Sequence, residues 1–256
     1  MKILVTGSNG FIGQNMVNAL EPHHEVVKNE WGMSFPGVEG LDWVIHLGAI
    51  SSTVETNISK IYRQNVDFSI KLYEECIKHN VKFQFASSAS VYGLKSDFKE
   101  TSPVAPQNHY ARSKALFEKY LEFRNAPITT HIFRYFNVHG PHEEHKGKQA
   151  SPQTQFMQQA KETGKIKIFE GSAKYFRDFI HVGKVVMDHQ RFFDIGESGM
   201  WNFGTGKARS FYDVALEVSG KTGATIEFID FPENLKGNYQ EFTKADTSKL
   251  IKTLSL

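Results

Sequence analysis

"TGSNGFIG", residues 6–13, follows the apolar run Ile3-Leu4-Val5 and leads into a stretch of helical pattern, Phe11–Leu20. Its glycines, Gly7, Gly10 and Gly13, are spaced G-x-x-G-x-x-G, a variant of the commoner G-x-G-x-x-G. Gly7 suits a tight turn out of a strand. Gly10 lets backbone approach phosphate oxygens with no Cβ in the way, and Gly13 lets the helix lie close to the sheet. The unpaired N–H groups and positive dipole of a helix start attract an anion. The glycines alone fit two readings, a cradle for a dinucleotide pyrophosphate and a strand-to-helix turn with no ligand. The rest of the chain has to decide.

Working outward, runs of strand length alternate with longer helical stretches. Val26-Val27 begins a second strand and "LDWVIHLGA", 41–49, forms a third. Val66–His79 reads as a helix, with Val66, Ile70, Tyr73 and Ile77 at steps of three and four. "VKFQFASS", 81–88, is a strand, His109–Arg124 a helix, and "ITTHIFRYFNV", 128–138, another strand. This alternation predicts βαβ units and a parallel sheet, an α/β fold. Ligands of such sheets sit beyond the carboxyl ends of the strands, so Gly7, Gly48, Ser88 and Asn137 should converge on one crevice. After residue 139 the segments become shorter and less regular, as in a smaller lobe woven with returns to the main sheet. About a dozen residues separate the second strand from the third, too few for a helix-strand-helix insertion.

Composition narrows the function classes. The 256 residues carry a formal net charge of +2 with scattered Lys and Arg, which gives no nucleic-acid footprint. No apolar run approaches the ~20 residues of a membrane helix, and the glycine turn comes too early for a signal-peptide core. The single cysteine, Cys76, cannot pair within the chain and fits a reducing cytoplasm. The cluster His139, His142, Glu143, Glu144 and His145 has irregular spacing in a loop, and we expect no metal there.

A dinucleotide also needs a group for its adenosine ribose about 20 residues beyond the glycines. Glu30 stands at that distance from Gly10, just past the second strand. A carboxylate there favours NAD, whereas Lys28 beside it favours NADP. Glu30 also suits a solvated turn. In "NHYARSKALFEKY", Tyr110 and Lys114 are four residues apart and share a helix face. A tyrosine has a pKa near 10, and a neighbouring ammonium together with an oxidised nicotinamide lowers it toward use as a base. Ser88, in "ASSASVYG" at the end of a strand, is suited to bond the same substrate hydroxyl and shuttle its proton to Tyr110.

As an ordered set, TGSNGFIG, VIHLGA, ASSASVYG, YARSK, RYFNVHGP, RDFIHV and NFGTG resemble the extended short-chain dehydrogenase/reductase family, in its nucleotide-sugar epimerase branch. They span nearly the whole chain. The resemblance implies a doubly wound Rossmann lobe over 1–138, with returning segments near 178–206, and a mainly substrate-binding lobe over 139–256. It implies a tightly held NAD(P) that is reduced and reoxidised in each turnover. It places cofactor contacts at Gly7, Gly10, Phe11, Ile12, Gly13, Glu30, Leu47, Gly48, Ala49, Asn65, Tyr110 and Lys114. It also implies a cytoplasmic homodimer paired through Val66–His79 and His109–Arg124.

Within the branch, the related dehydratases carry an Asp-Glu pair where Ala89-Ser90 stand here. The decarboxylases carry a Glu and the fucose synthases a Cys in the same stretch, and both are absent. Oxidation followed by reduction of the opposite face, an epimerisation, remains. "RYFNVHGPHEEHKGKQAS", "FEGSAKYFRDF" and "LKGNYQEFTKAD" resemble the ADP-glycero-manno-heptose 6-epimerases. In that family the lysine matching Lys146 is a second acid/base, although an isolated loop lysine is usually just solvated. The UDP-glucose 4-epimerases are resembled as well, and there the tyrosine works with the serine alone. A non-enzymatic redox sensor is a third reading, in which loss of the tyrosine or lysine would be expected. Asn137 suits a substrate phosphate or hydroxyl, or a turn cap. Arg177 suits the diphosphate, or an ion pair with Asp178. Tyr239 suits the nucleotide, or the core. The short region after Glu30 and the ending "TSKLIKTLSL" depart from the family pattern.

Overall fold

The computed structural model describes residues 1–52, 55–94, 97–233 and 240–255. Strand β1 (Lys2–Thr6) leads through the glycine turn into α1 (Phe11–Leu20), and β2 (Glu25–Asn29) and β3 (Trp43–His46) follow. Residues Ile3, Leu4 and Val5 are all fully buried. Leu4 faces one core with Val44, Phe83 and Phe117, while Ile3 and Val5 face another with Phe11, Val17 and Ile45. Apolar side chains on both faces are what a strand covered by helices on both sides requires.

The chain then enters one long helical run: α2 (Ile58–Tyr62), a π-helical turn at Arg63–Asp67, and α3 (Phe68–Lys78). The helix read as Val66–His79 therefore starts earlier, behind the cap that Asn57 offers to the Lys60 N–H. The π turn inserts a residue into the helical period, which hides the first half from a 3.6-residue pattern. After it come β4 (Lys82–Ser88), α4 (His109–Phe123) and β5 (Thr130–Tyr135). Asn108 caps α4 by accepting from the Ala111 N–H at 2.8 Å.

The strand read as 128–138 is two strands. It breaks at Phe136, whose N–H is donated to the Phe203 carbonyl and whose ring enters a separate cluster with Val91, Tyr92 and Phe98. Asn137 thus opens β6 (Asn137–His139) rather than closing the longer strand. Helix α5 (Pro152–Thr163), β7 (Lys165–Phe169), β8 (Phe176–His181), α6 (Val182–Arg191), β9 (Gly199–Phe203), β10 (Ala208–Ser210), α7 (Phe211–Thr222), β11 (Thr225–Ile229) and α8 (Ser248–Leu254) complete the order.

The main sheet is six-stranded, in the order β2-β1-β3-β4-β5-β9, with every pair parallel. Strand order reverses between β1 and β3, the place where a doubly wound sheet opens its crevice. Two smaller sheets, β10-β8-β6 and β11-β7, lie beyond it. Strand β2 is the edge of the main sheet, and the residues after Glu30 tuck Val38 and Leu41 back against the core instead of adding a strand. Among the described residues no helix is long and apolar enough to cross a membrane.

Helix α4 is tied to the sheet by a buried ion pair. Glu118 and Arg134 are each 3% exposed. Arg134 donates to the two Glu118 oxygens at 3.0 and 2.7 Å, and Ser87 Oγ donates to Oε1 at 2.5 Å. Arg134→Met alone leaves a buried carboxylate without its partner and should cost about 3–5 kcal/mol, most of it recovered by adding Glu118→Leu. Urea denaturation reads both variants, and an Arg134→Met protein as stable as the parent would contradict this account.

Candidate active site

The glycine turn is shaped by close backbone approach. Gly7 has φ +68°, and a Cβ there would lie 2.7 Å from the Gly48 backbone. A Cβ on Gly13 would lie 1.9 Å from the Gly7 carbonyl oxygen. Gly13 therefore admits the turn itself onto the helix, a tighter constraint than closeness of helix to sheet. Helix α1 starts at Phe11 and Ile12 with no side-chain cap at Gly10 and no acid in its first turn. Its N–H groups are left for an anion, and the missing Cβ atoms leave backbone to line the cradle. These features fit the pyrophosphate of a dinucleotide.

Glu30 reaches this turn from the end of β2. Its carboxylate accepts from the Asn9 N–H and from Ser8 Oγ, the latter at 3.2 Å. Lys28 points elsewhere, pairing with Glu21 at 2.6 Å. The cation that argued for a 2′-phosphate is thus engaged away from the turn.

Leu47, Gly48 and Ala49 leave the end of β3 beside the turn, and one hydrogen-bonded chain ties them to α4. The Gly48 N–H is donated to Thr6 Oγ1 at 3.2 Å, and Thr6 Oγ1 meets His46 Nδ1 at 2.6 Å. His46 Nε2 meets Ser69 Oγ at 2.7 Å, and Ser69 Oγ donates to the Asn65 carbonyl. Burial, with the Lys114 ammonium adding to it, pushes His46 down to about 3, so the ring is a neutral link. Asn65, in the π turn, accepts from the Ile50 N–H at 2.8 Å and donates to Ser113 Oγ at 3.0 Å. Ser113 Oγ in turn donates to the Tyr110 carbonyl at 2.7 Å. Sequence reading missed Thr6, His46, Ser69 and Ser113, since polar residues at buried positions carry no periodic signal.

Tyr110 lies in the first turn of α4, with its phenol close enough to Ser88, at the end of β4, for the two side chains to interact. Burial holds the phenol above its ordinary range, and Ser88 draws it partly back. Without a bound nicotinamide the phenol is therefore held in its protonated form. Lys114, one turn along, is 2% exposed with its ammonium 4.6 Å from the centre of the Phe85 ring. Burial pushes it down to about 7, against the opposing pull of the Glu118 carboxylate. Beneath the tyrosine, Tyr135 bonds His189, which meets Gln84 Oε1 at 2.7 Å.

Lys146 sits on a short helical turn with its ammonium 5.4 Å from the centre of the Phe11 ring. Glu143, 3.8 Å from that ammonium and 1% exposed, accepts from the Ser151 N–H, Ser151 Oγ and Thr154 Oγ1. Lys146 is therefore carried to the start of α1 on a pinned loop. Asn137 donates to the Asp178 carbonyl at 3.2 Å. Arg177 donates to the carbonyls of Phe176 and Gln240. Asp178, its neighbour on β8, faces away and accepts from the N–H groups of Thr205, Gly206 and Ala245. Tyr239 lies outside the described residues. Among those described, no group of three or more His, Cys, Asp or Glu residues is gathered as a metal ion would need.

The model of the NAD dependent epimerase/dehydratase family matches residues 28–195. The ADP-L-glycero-D-manno-heptose-6-epimerase of Brachyspira hyodysenteriae is 34% identical over 286 aligned residues, spanning 97% of this chain and 90% of that protein. In fold, the chain is similar to Helicobacter pylori ADP-L-glycero-D-manno-heptose-6-epimerase, with a TM-score of 0.88 and 24% identity over 99% of this chain and 90% of the other. It is also similar to Thermotoga maritima UDP-glucose 4-epimerase, solved with UDP-glucose, with a TM-score of 0.87 and 25% identity over 100% of this chain and 93% of the other. With a glycine cradle at one end of the crevice and a Ser-Tyr-Lys cluster at the other, this chain belongs to the NAD-dependent epimerase/dehydratase family.

Proposed function

We propose that this chain epimerises an ADP-heptose, by oxidising a hydroxyl-bearing carbon to a ketone and reducing it again from the opposite face. The observation that carries the reading is the Tyr110 phenol beside Ser88, with Lys114 buried one helical turn away. When bound, NAD supplies the oxidant, taking a hydride from the carbon and giving it back.

The remaining work falls to the protein. Tyr110 accepts the hydroxyl proton, with Ser88 bonded to the same oxygen and relaying the proton. Lys114 binds the nicotinamide ribose, and its charge favours the phenolate as the proton moves. Once the ketone has turned over, a donor is needed on its other face. Lys146, held near the start of α1 through Glu143, is that second acid/base. Asn137 and Arg177 bind substrate oxygens, and Tyr239 serves the nucleotide. Glu30 binds the adenosine ribose, and the backbone of Gly48 and its neighbours, pinned by Asn65, flanks the dinucleotide.

The sugar is assigned from the 34% identity to an ADP-heptose epimerase and from Lys146. A UDP-glucose 4-epimerase is the second reading, favoured by the pairing of Ser88 with Tyr110, which needs no Lys146. A cytoplasmic setting is supported by the lone cysteine, Cys76, which is buried with its thiol pushed up to about 12. We also infer a homodimer that covers the exposed Leu116 and Phe123 of α4. Light scattering at the mass of one chain would contradict it.

A panel of ADP- and UDP-sugars, followed by NMR epimer ratio, tests the substrate. ADP-heptose should equilibrate and UDP-glucose should not, and the reverse result would favour the second reading. Tyr110→Phe should cut turnover by about 100-fold or more, the usual span for a positioned acid/base.

The depressed Lys114 gives a pH prediction. Its ammonium titrates near 7 when folded, against 10.5 as the ordinary value. Below the folded value the protein bears the full cost of a desolvated charge. That cost fades as pH rises through the window between the two values. Lys114→Met should therefore raise the melting temperature of the free protein more at about pH 6 than at about pH 9. An equal gain at both, or a larger gain at the higher pH, would contradict the burial of that charge.

A further inference from the structure

Of the three tryptophans, Trp43 and Trp201 are 1% and 0% exposed, whereas Trp31 is 50% exposed. An indole so open to water has a transfer cost that a ligand would relieve. Its position is what gives the exposure meaning. Trp31 directly follows Glu30, whose carboxylate closes onto the glycine turn at Asn9 and Ser8. The backbone doubles back there, with Gly32 at φ +95° and the Met33 N–H donated to the Glu30 carbonyl at 3.1 Å. The indole is also held in place. The Arg63 guanidinium lies 5.6 Å from its ring centre, and Phe68 meets it nearly edge-on at 5.9 Å. Both come from the helical run that follows β3.

A carboxylate at the end of the second strand sets where a dinucleotide's ribose lies, and the adenine lies just beyond it. In this chain β2 is the sheet edge, so among the described residues no further strand stands on that side to wall a base. The side chain found there is an indole whose orientation is already fixed by Arg63 and Phe68. We infer that Trp31 is the stacking platform for the adenine of NAD, in place of the wall that a further strand and helix would provide. This rests on the NAD site proposed above. A fixed aromatic face binds a base with little ordering cost, and it reads the base by shape rather than by hydrogen bonds.

Binding of NAD and of ADP-ribose to the purified chain, by calorimetry and by tryptophan emission, tests the assignment. Both ligands should quench emission, because Trp31 is the exposed indole. Trp31→Ala should weaken both by about tenfold, and Trp31→Phe should stay within about threefold of the parent while losing the quenching. A Trp31→Ala protein that binds NAD as the parent does would overturn the platform and leave the NAD site standing. A Trp31→Phe protein as weak as Trp31→Ala would also overturn it. Failure of the parent to bind either ligand would instead remove the NAD site on which the inference rests. Matching thermal midpoints of the three proteins distinguish lost stacking from lost folding.

Discussion

The ion pair of Glu118 and Arg134 is the constraint from which the rest of the cluster takes its position. Tyr110, Lys114 and Glu118 lie four residues apart in sequence on α4, so they form one stripe along the helix. Arg134 on β5 and Ser87 on β4 grip the far end of that stripe. The near end then meets Ser88, the residue after Ser87 in the same strand. A buried pair of this kind contributes little net stability against a well-packed apolar replacement. What it supplies is a directional clamp, two parallel hydrogen bonds that leave the helix one height and one rotation. The Glu118 carboxylate has a second effect, opposing the desolvation that would otherwise depress Lys114 further.

The other end of the crevice is joined to this clamp through neutral groups. From the Gly48 N–H, the bonds run through Thr6, His46, Ser69, Asn65 and Ser113 to the carbonyl of Tyr110. Each is buried or half-buried, and each has a partner on both sides, as a polar chain in a low-dielectric interior requires. His46 is deeply depressed, so the chain keeps one protonation pattern across the physiological range. The cradle and the acid/base cluster are thus held as one rigid frame, which orients the reacting groups ahead of the chemical step.

Much of this is legible in the sequence. Apolar residues on both faces of Ile3–Val5, then three glycines and a helical pattern, dictate strand, turn and helix with little freedom. The Tyr110–Lys114 spacing puts both side chains on one face for the same geometric reason. What stays hidden depends on long-range contacts. The break at Phe136 follows from a cluster with Tyr92 and Phe98, more than thirty residues away in sequence. The π turn at Arg63–Asp67 disguises half a helix. Lys28 looks available for a phosphate until Glu21 is seen beside it, and Arg177 looks paired with Asp178, although the two alternate across β8. Glu118 and Arg134 read as ordinary charges, because nothing local distinguishes a clamp from a solvated pair.

In the proposed reaction this frame serves a reversible oxidation at carbon, with the tyrosine handling only the hydroxyl proton. The most direct measurement uses a nucleotide sugar carrying deuterium at the inverting carbon, turned over in ordinary water. The inverted product should keep its deuterium, because the hydrogen removed from carbon is returned to it. Loss of the label to solvent in step with inversion would mean that carbon is deprotonated instead, and would contradict the account.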